Sequence, residues 1–301
     1  MAVALVFPGQ GSQREQMAAA WREHPAFARW AQADELLGFD VTRLGLDAGA
    51  EELREPANCQ VALFVHGCVL LEAWRGAVGH APVVTAGHSL GEYNALVAAG
   101  ALGFADGLRL VEARARATQA AAEQRPGTMV ACLGFAVEDV RAASEETATF
   151  VANDNAPGQV TVAGEPEALE RLKALLGERA ESRRQRVVDV QVGAAYHSPH
   201  MEPAVAPFSS ALDTAEFEAA RMPVVANVDA APHAAAEDWP ALLRQQLVSP
   251  VRWRETVLVL RAEGGDEVVE LCAAPVLTGL VKRTDAGLGR RSISAPDDLE
   301  G

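Results

Sequence analysis

The stretch PVVTAGHSLGEYNALVAAG, residues 82–100, sets an apolar run directly before a helical one, with Ser89 near the junction. PVVTAGH has the valine and threonine content of a short strand. LGEYNALVAAG is rich in helix formers and ends on Gly100, which suits a left-handed C-cap. Between them, GHSLG fits G-x-S-x-G, a strand–turn–helix elbow that presents a serine hydroxyl at a strand end. Its glycines let neighbouring chains pass close to a strained serine backbone. The helix start leaves N–H groups and the positive dipole end beside the serine oxygen. The bland reading is an ordinary tight turn; the context on both sides favours Ser89 as a nucleophile.

Working outward, VALVFPGQG (residues 3–11) reads as a buried strand and a glycine turn. REQMAAAWREHPAFARWAQADELLG (14–38) reads as helix with a break near Pro25. CQVALFVHGCVLLEAWRG (59–76) is apolar all round, as a buried helix would be. FADGLRLVEARARATQAAAEQ (104–124) is another helix, started by Asp106 or its neighbours. Strands alternating with helices imply an α/β fold with a parallel sheet.

The pattern changes after Pro126-Gly127. TMVACLG, AVEDVRAASEE, TFVANDN, QVTVAG, EPEALERLKALLGER and RRQRVVDV read in turn as β-α-β-β-α-β. That is the split order of a ferredoxin-like unit, expected to occupy residues 126–196 as an insertion. Residues 1–125 and 197–301 then form the larger body. MPVVANVDA and DEVVELCAAP return to it as strands, around a helical stretch from Trp239 interrupted near Pro250. The polar tail SAPDDLEG is expected to fray.

Composition narrows the function. The 301 residues are 49% apolar, enough for a sizeable core. The net charge of −15 argues against nucleic acid and anionic membrane surfaces, which call for basic patches. MAVALVF lacks a basic leader and runs into PGQG, so it reads as a strand, and no stretch approaches the ~20 apolar residues of a span. Cys59, Cys68, Cys132 and Cys272 show no metal-ligand spacing and read as core residues of a reducing cytoplasm.

A serine nucleophile needs a base. Of His24, His66, His80, His88, His197, His200 and His233, His88 adjoins Ser89, but consecutive side chains diverge at an elbow, so it reads as a packing residue. His197 and His200 in GAAYHSPHM follow the last strand of the inserted unit, and spacing leaves both open. An oxyanion hole needs two donors. The Leu90 amide supplies one, and Gln10, flanked by Gly9 and Gly11, offers the second. Arg109, Arg114 and Arg116 share one helix, and arginines there are ordinarily solvated. One buried at the pocket would select an acid-bearing acyl group.

Taken together, FPGQGSQ, GHSLGEYNALVAAG, FADGLRLVEARA, NDNAPGQVTVAG, HSPHM, NVDA, QLVSPVRW and VLTGLVKR resemble, in order and spacing, the malonyl-CoA:acyl carrier protein transacylase family. The resemblance implies an α/β-hydrolase-like core with the ferredoxin-like insertion. It implies Ser89 as nucleophile and His197 as base. Gln10 and Leu90 are implied as oxyanion donors, Arg114 as the carboxylate partner, and Gln246 as the residue orienting the histidine through a carbonyl. It further implies malonyl-CoA as substrate, an acyl carrier protein as partner and no bound cofactor or metal. Two departures stand out. ELCAAPVLTG replaces a Gly-Pro-Gly-like turn with Cys272, Ala273 and Ala274, and AAYH precedes Ser198. Both point to a specialised branch, such as the transacylase subunit that works with malonate decarboxylase subunits. Arg183, Arg184 and Arg186, or Lys282 and Arg283, are candidate contacts for an acidic carrier.

Overall fold

The computed structural model describes residues 1–78 and 80–300. The chain begins with β1 (Val3–Phe7), then α1 (Ala28–Leu37), α2 (Val41–Leu46) and α3 (Pro56–Ala77). β2 (Val84–Gly87), α4 (Gly91–Ala99) and α5 (Phe104–Gln124) follow. Next come β3 (Thr128–Leu133), α6 (Val137–Thr147), β4 (Phe150–Ala156), β5 (Gln159–Gly164), α7 (Pro166–Glu178) and β6 (Arg186–Val190). The chain closes through α8 (Glu202–Leu212), β7 (Val224–Val225), β8 (Pro232–His233), α9 (Trp239–Gln246), α10 (Trp253–Ala262), β9 (Glu267–Leu271), α11 (Leu277–Thr284) and β10 (Gly289–Ile293).

The strands form two sheets. One runs β10-β9-β1-β2-β7-β8, parallel at every pair except β7–β8. All five residues of β1 are buried, as an apolar central strand of a covered parallel sheet must be. The other sheet, β4-β5-β3-β6, is antiparallel throughout. Val140 of α6 and Leu172 of α7 pack with Val130, Cys132 and Val160 into its own apolar cluster.

Backbone bonds stitch the two parts together. Asp154 N donates to Val251 O and Val251 N to Ala152 O, each at 2.9 Å. The buried Asp154 carboxylate also pairs with Arg254 at 2.8 Å. Parallel register sets Phe7 beside Gly87, so the turn after β1 and the turn after β2 open side by side. Ligands meet parallel sheets at such strand ends.

α3 is long and apolar enough to cross a membrane by length and composition, beyond the sequence expectation. Its apolar window is 83% buried within the protein, so it serves as the core helix that the sequence predicted. Other expectations need correcting. Residues 14–27 form turns and two short 3-10 segments rather than a helix; His24 caps the second, and α1 proper starts at Ala28. Gly103, not Asp106, is the N-cap of α5, and Asp106 lies in its first turn. MPVVANVDA contributes only the two residues of β7. Through Glu300 the tail is not frayed, and Gly301 lies outside the described residues. The tail forms a 3-10 turn at Pro296–Glu300, and the Asp298 carboxylate accepts from the Ser294 and Ala295 amides.

Candidate active site

The elbow is built by close approach. A Cβ on Gly87 would lie 1.9 Å from the Gly91 carbonyl group, and one on Gly91 would lie 2.0 Å from Phe7 O. Only glycine fits either position. Ser89 takes φ +52°, a left-handed conformation that costs a non-glycine residue on the order of 1–3 kcal/mol. Asn227, just beyond β7, braces the strained turn: its Oδ1 accepts from Ser89 N at 2.7 Å, and its Nδ2 donates to Gly87 O at 2.7 Å.

Ser89 Oγ lies 2.7 Å from His197 Nε2. His197 Nδ1 lies 2.9 Å from the backbone carbonyl of Gln246. A carbonyl only accepts, so Nδ1 carries the proton and Nε2 is left to receive one from the serine. The third member is thus a carbonyl and not a carboxylate. Burial first, and the Arg114 charge second, push the imidazole down to about 3, so it is neutral at physiological pH. His88 packs on Trp253 and bonds Asn155 at 2.8 Å. His200 packs against Phe150. Of the two loop histidines, His197 is the one at the serine.

Arg114 is 3% exposed, whereas the Arg109 and Arg116 side chains are 59% and 75% exposed. Its Nη2 donates to Ser89 Oγ at 3.0 Å and to Gln246 Oε1 at 3.3 Å; its Nη1 donates to Gln60 Oε1 at 2.5 Å. No carboxylate lies at ion-pair distance from it among the described residues. Arg114 Nε, Gln60 Nε2 and Tyr196 OH are buried without a hydrogen-bond partner there. A buried cation with its hydrogen-bonding capacity partly unspent is suited to an anionic ligand.

Ser89, His197, Arg114, Gln60 and Tyr196 line one cavity of about 470 Å³. Gln10 and Leu90 reach it from the two adjacent strand-end turns. Neither amide is taken by an acceptor among the described residues, so two N–H donors remain for an oxyanion. Chemically, the arrangement can deprotonate a serine, hold a negative tetrahedral centre and pair a carboxylate. The sequence reading missed Gln60, Glu92 and Asn227 altogether, and took Tyr196 only as a departure from a motif. Among the described residues no His/Cys/Asp/Glu group could hold a metal. All four cysteines are unpaired and buried, and burial pushes the Cys59, Cys68 and Cys132 thiols up to about 12.

A serine on an elbow, paired to a carbonyl-held imidazole, defines an acyl-transfer or acyl-hydrolysis centre. The acyl transferase domain family matches residues 4–290, and the chain belongs to that family. It is 36% identical to a malonyl CoA-acyl carrier protein transacylase of Escherichia coli strain K12, over 98% of this chain and 97% of the relative. An acyl carrier protein S-malonyltransferase from Vibrio cholerae superposes with TM-score 0.94 at 34% identity, covering 100% of this chain and 99% of the other. A malonyl-transacylase solved in complex with its type II PKS acyl-carrier protein also gives TM-score 0.94, at 35% identity and coverage of 100% and 98%.

Proposed function

We propose that this chain transfers malonyl groups from malonyl-CoA to the phosphopantetheine thiol of an acyl carrier protein. One observation carries the reading. A buried arginine with no carboxylate partner among the described residues stands 3.0 Å from a serine hydroxyl that is bonded to a neutral histidine.

The steps follow from the groups present. His197 Nε2 takes the Ser89 proton as Oγ attacks the thioester carbon. The Gln10 and Leu90 amides hold the oxyanion while Arg114 pairs with the malonyl carboxylate. The C–S bond breaks, CoA leaves with the proton from His197, and malonyl remains as an ester on Ser89. The carrier thiol then gives its proton to His197 and attacks the ester. Ser89 departs, reprotonated by His197. The Gln246 carbonyl keeps the imidazole in the required tautomer throughout. No cofactor enters these steps.

The finer architecture belongs to the same proposal. Residues 126–196 form a ferredoxin-like unit, supported by the β-α-β-β-α-β order and the β4-β5-β3-β6 strand order. Residues 1–125 and 197–301 form an α/β-hydrolase-like core, supported by the elbow on a mostly parallel sheet. Free, buried cysteines fit a cytoplasmic setting. Arg183, Arg184, Arg186, Lys282 and Arg283 are exposed and available to an acidic carrier. The alternative setting is fatty-acid or polyketide synthesis, the latter matching the type II PKS acyl-carrier protein printed for one solved relative. The malonate decarboxylase branch rests on the Cys272-Ala273-Ala274 and AAYH departures alone.

Intact-protein mass after brief exposure to malonyl-CoA tests the proposal. One malonyl on the wild type and none on Ser89→Ala supports it. Free malonate with no adduct, unaffected by a carrier thiol, would replace it with a hydrolase.

A further inference from the structure

We propose that Glu92 is a positioning residue for this site, a buried carboxylate that fixes the Gln246 side chain and the Asn227 backbone together and so aligns Ser89, His197 and Arg114. The inference rests on the acyl-transfer reading above. It goes beyond that reading because Glu92 touches none of the groups that would meet substrate.

Glu92 sits in the first turn of α4 and is 1% exposed. Its Oε1 accepts from Asn227 N at 2.6 Å and its Oε2 from Gln246 Nε2 at 2.5 Å. Both partners reach on to the site. Asn227 holds Ser89 N and Gly87 O. Gln246 Nε2 also donates to Ser89 O at 3.0 Å, its Oε1 accepts from Arg114, and its carbonyl accepts from His197.

The polarity of this network is determined. A guanidinium only donates and a carbonyl only accepts, so Gln246 must present Oε1 to Arg114 and Nε2 to Ser89 O. Nε2 therefore also faces Glu92, and a backbone N–H faces the other Glu92 oxygen. Glu92 receives two donors and needs neither oxygen protonated. The carboxylate is the form the network fits.

Burial works against that form, pushing the carboxyl up to about 8 despite those two donors. The neighbouring titratable groups are few. Arg114 on α5 favours the anion and Asp229, beyond β7, opposes it. His197 stays neutral, and burial pushes the Tyr93 phenol, next on α4, upward. Glu92 therefore converts to the fitting form on the alkaline side of neutrality.

Glu92→Gln is the informative change because it keeps the shape. Whichever way the new amide turns, its NH2 meets a donor, either Gln246 Nε2 or Asn227 N. The test is the pH dependence of malonyl-enzyme formation, read by mass over milliseconds to seconds. The wild type should gain rate with an inflection near 8. Glu92→Gln should be slower by about a hundredfold, the order expected of small misplacements, and its profile should lack that inflection. A variant that is slower at every pH but keeps the inflection overturns the proposal, as does one that matches the wild type. A wild type that takes no label fails the underlying reading instead, and the proposal falls with it. Should Glu92→Gln not fold, the infrared carboxyl band of the wild type decides. A carboxyl that titrates with the rate supports the proposal, and a rate inflection without one overturns it.

Discussion

Removing the Arg114 guanidinium should convert a malonyl-selective site into one that favours acetyl. In Arg114→Gln the packing of α5 is largely kept, but the cation facing the cavity is lost. A carboxylate bound there loses its charge-assisted donors and stays buried. Breaking one side of such a pair costs about 3–5 kcal/mol. At about 1.4 kcal/mol per tenfold, malonyl-enzyme formation should fall by roughly two to three and a half powers of ten in kcat/KM. Acetyl-enzyme formation should stay within about tenfold of wild type, since acetyl offers no carboxylate to the arginine. A second readout comes from the base. The Arg114 charge helps hold His197 low, so its removal should move the acid limb of the acetyl profile upward in pH. Single-turnover labelling with the two thioesters, read by mass, measures both. Equal losses for malonyl and acetyl at an unchanged melting temperature would refute the carboxylate role. An acid limb that stays in place would refute the coupling to His197.

Two further outcomes follow from packing and burial. Gly91→Ala places a Cβ 2.0 Å from Phe7 O and should cost about 3 kcal/mol, the upper end of overpacking losses, in urea unfolding; a loss below about 1 kcal/mol would show that the elbow relaxes. His66 is 1% exposed, both its ring nitrogens lack partners among the described residues, and burial first, then Arg14, push it down to about 3. A depressed imidazole contributes stability above its unfolded value of 6.5, and that stability is lost as pH falls toward 3, at about 1.4 kcal/mol per pH unit. His66→Leu should therefore lose about 2–3 kcal/mol less between about pH 7 and 4.5 than the wild type, and equal losses would sink the assignment.

The elbow is legible in the sequence because its strand, turn and helix are contiguous, and each part carries its own local signal. Arg114 was singled out only by the family resemblance, since composition and spacing leave Arg109, Arg114 and Arg116 alike; its burial is a structural finding. Gly107, Val111, Arg114, Thr118 and Ala121 are all buried on α5, at spacings of three and four, which marks one inward stripe. Arg109 and Arg116 fall off it. Glu92, Asn227 and Gln246 were beyond reach as a set. Glu92 is separated from Asn227 by 135 positions and from Gln246 by 154, and no local period relates them. Spacing left His197 and His200 open and only the family resemblance chose His197; what distinguishes it physically is tertiary, the Gln246 carbonyl 2.9 Å from its Nδ1. The tail was misread because its order comes from contacts elsewhere: Trp21 Nε1 donates to Ser294 O, and Leu299 packs on the core.

Part of what resists sequence reading lies at the site itself, and the energetics explain why. Ser89 and His197 both hold positive φ, a conformation that persists only when surrounding contacts over-determine it. His197 is buried and neutral, and Arg114 Nε, Gln60 Nε2 and Tyr196 OH are unpaired among the described residues. None of these is a choice that maximises stability. Glu92 makes the conflict explicit. Its raised value stabilises the fold below the ordinary carboxyl value of 4.5, and that contribution is lost as pH rises toward about 8. Over the same window the carboxylate that suits Gln246 and Asn227 forms. The fold thus gives up stability as the network reaches the charge state its donors require.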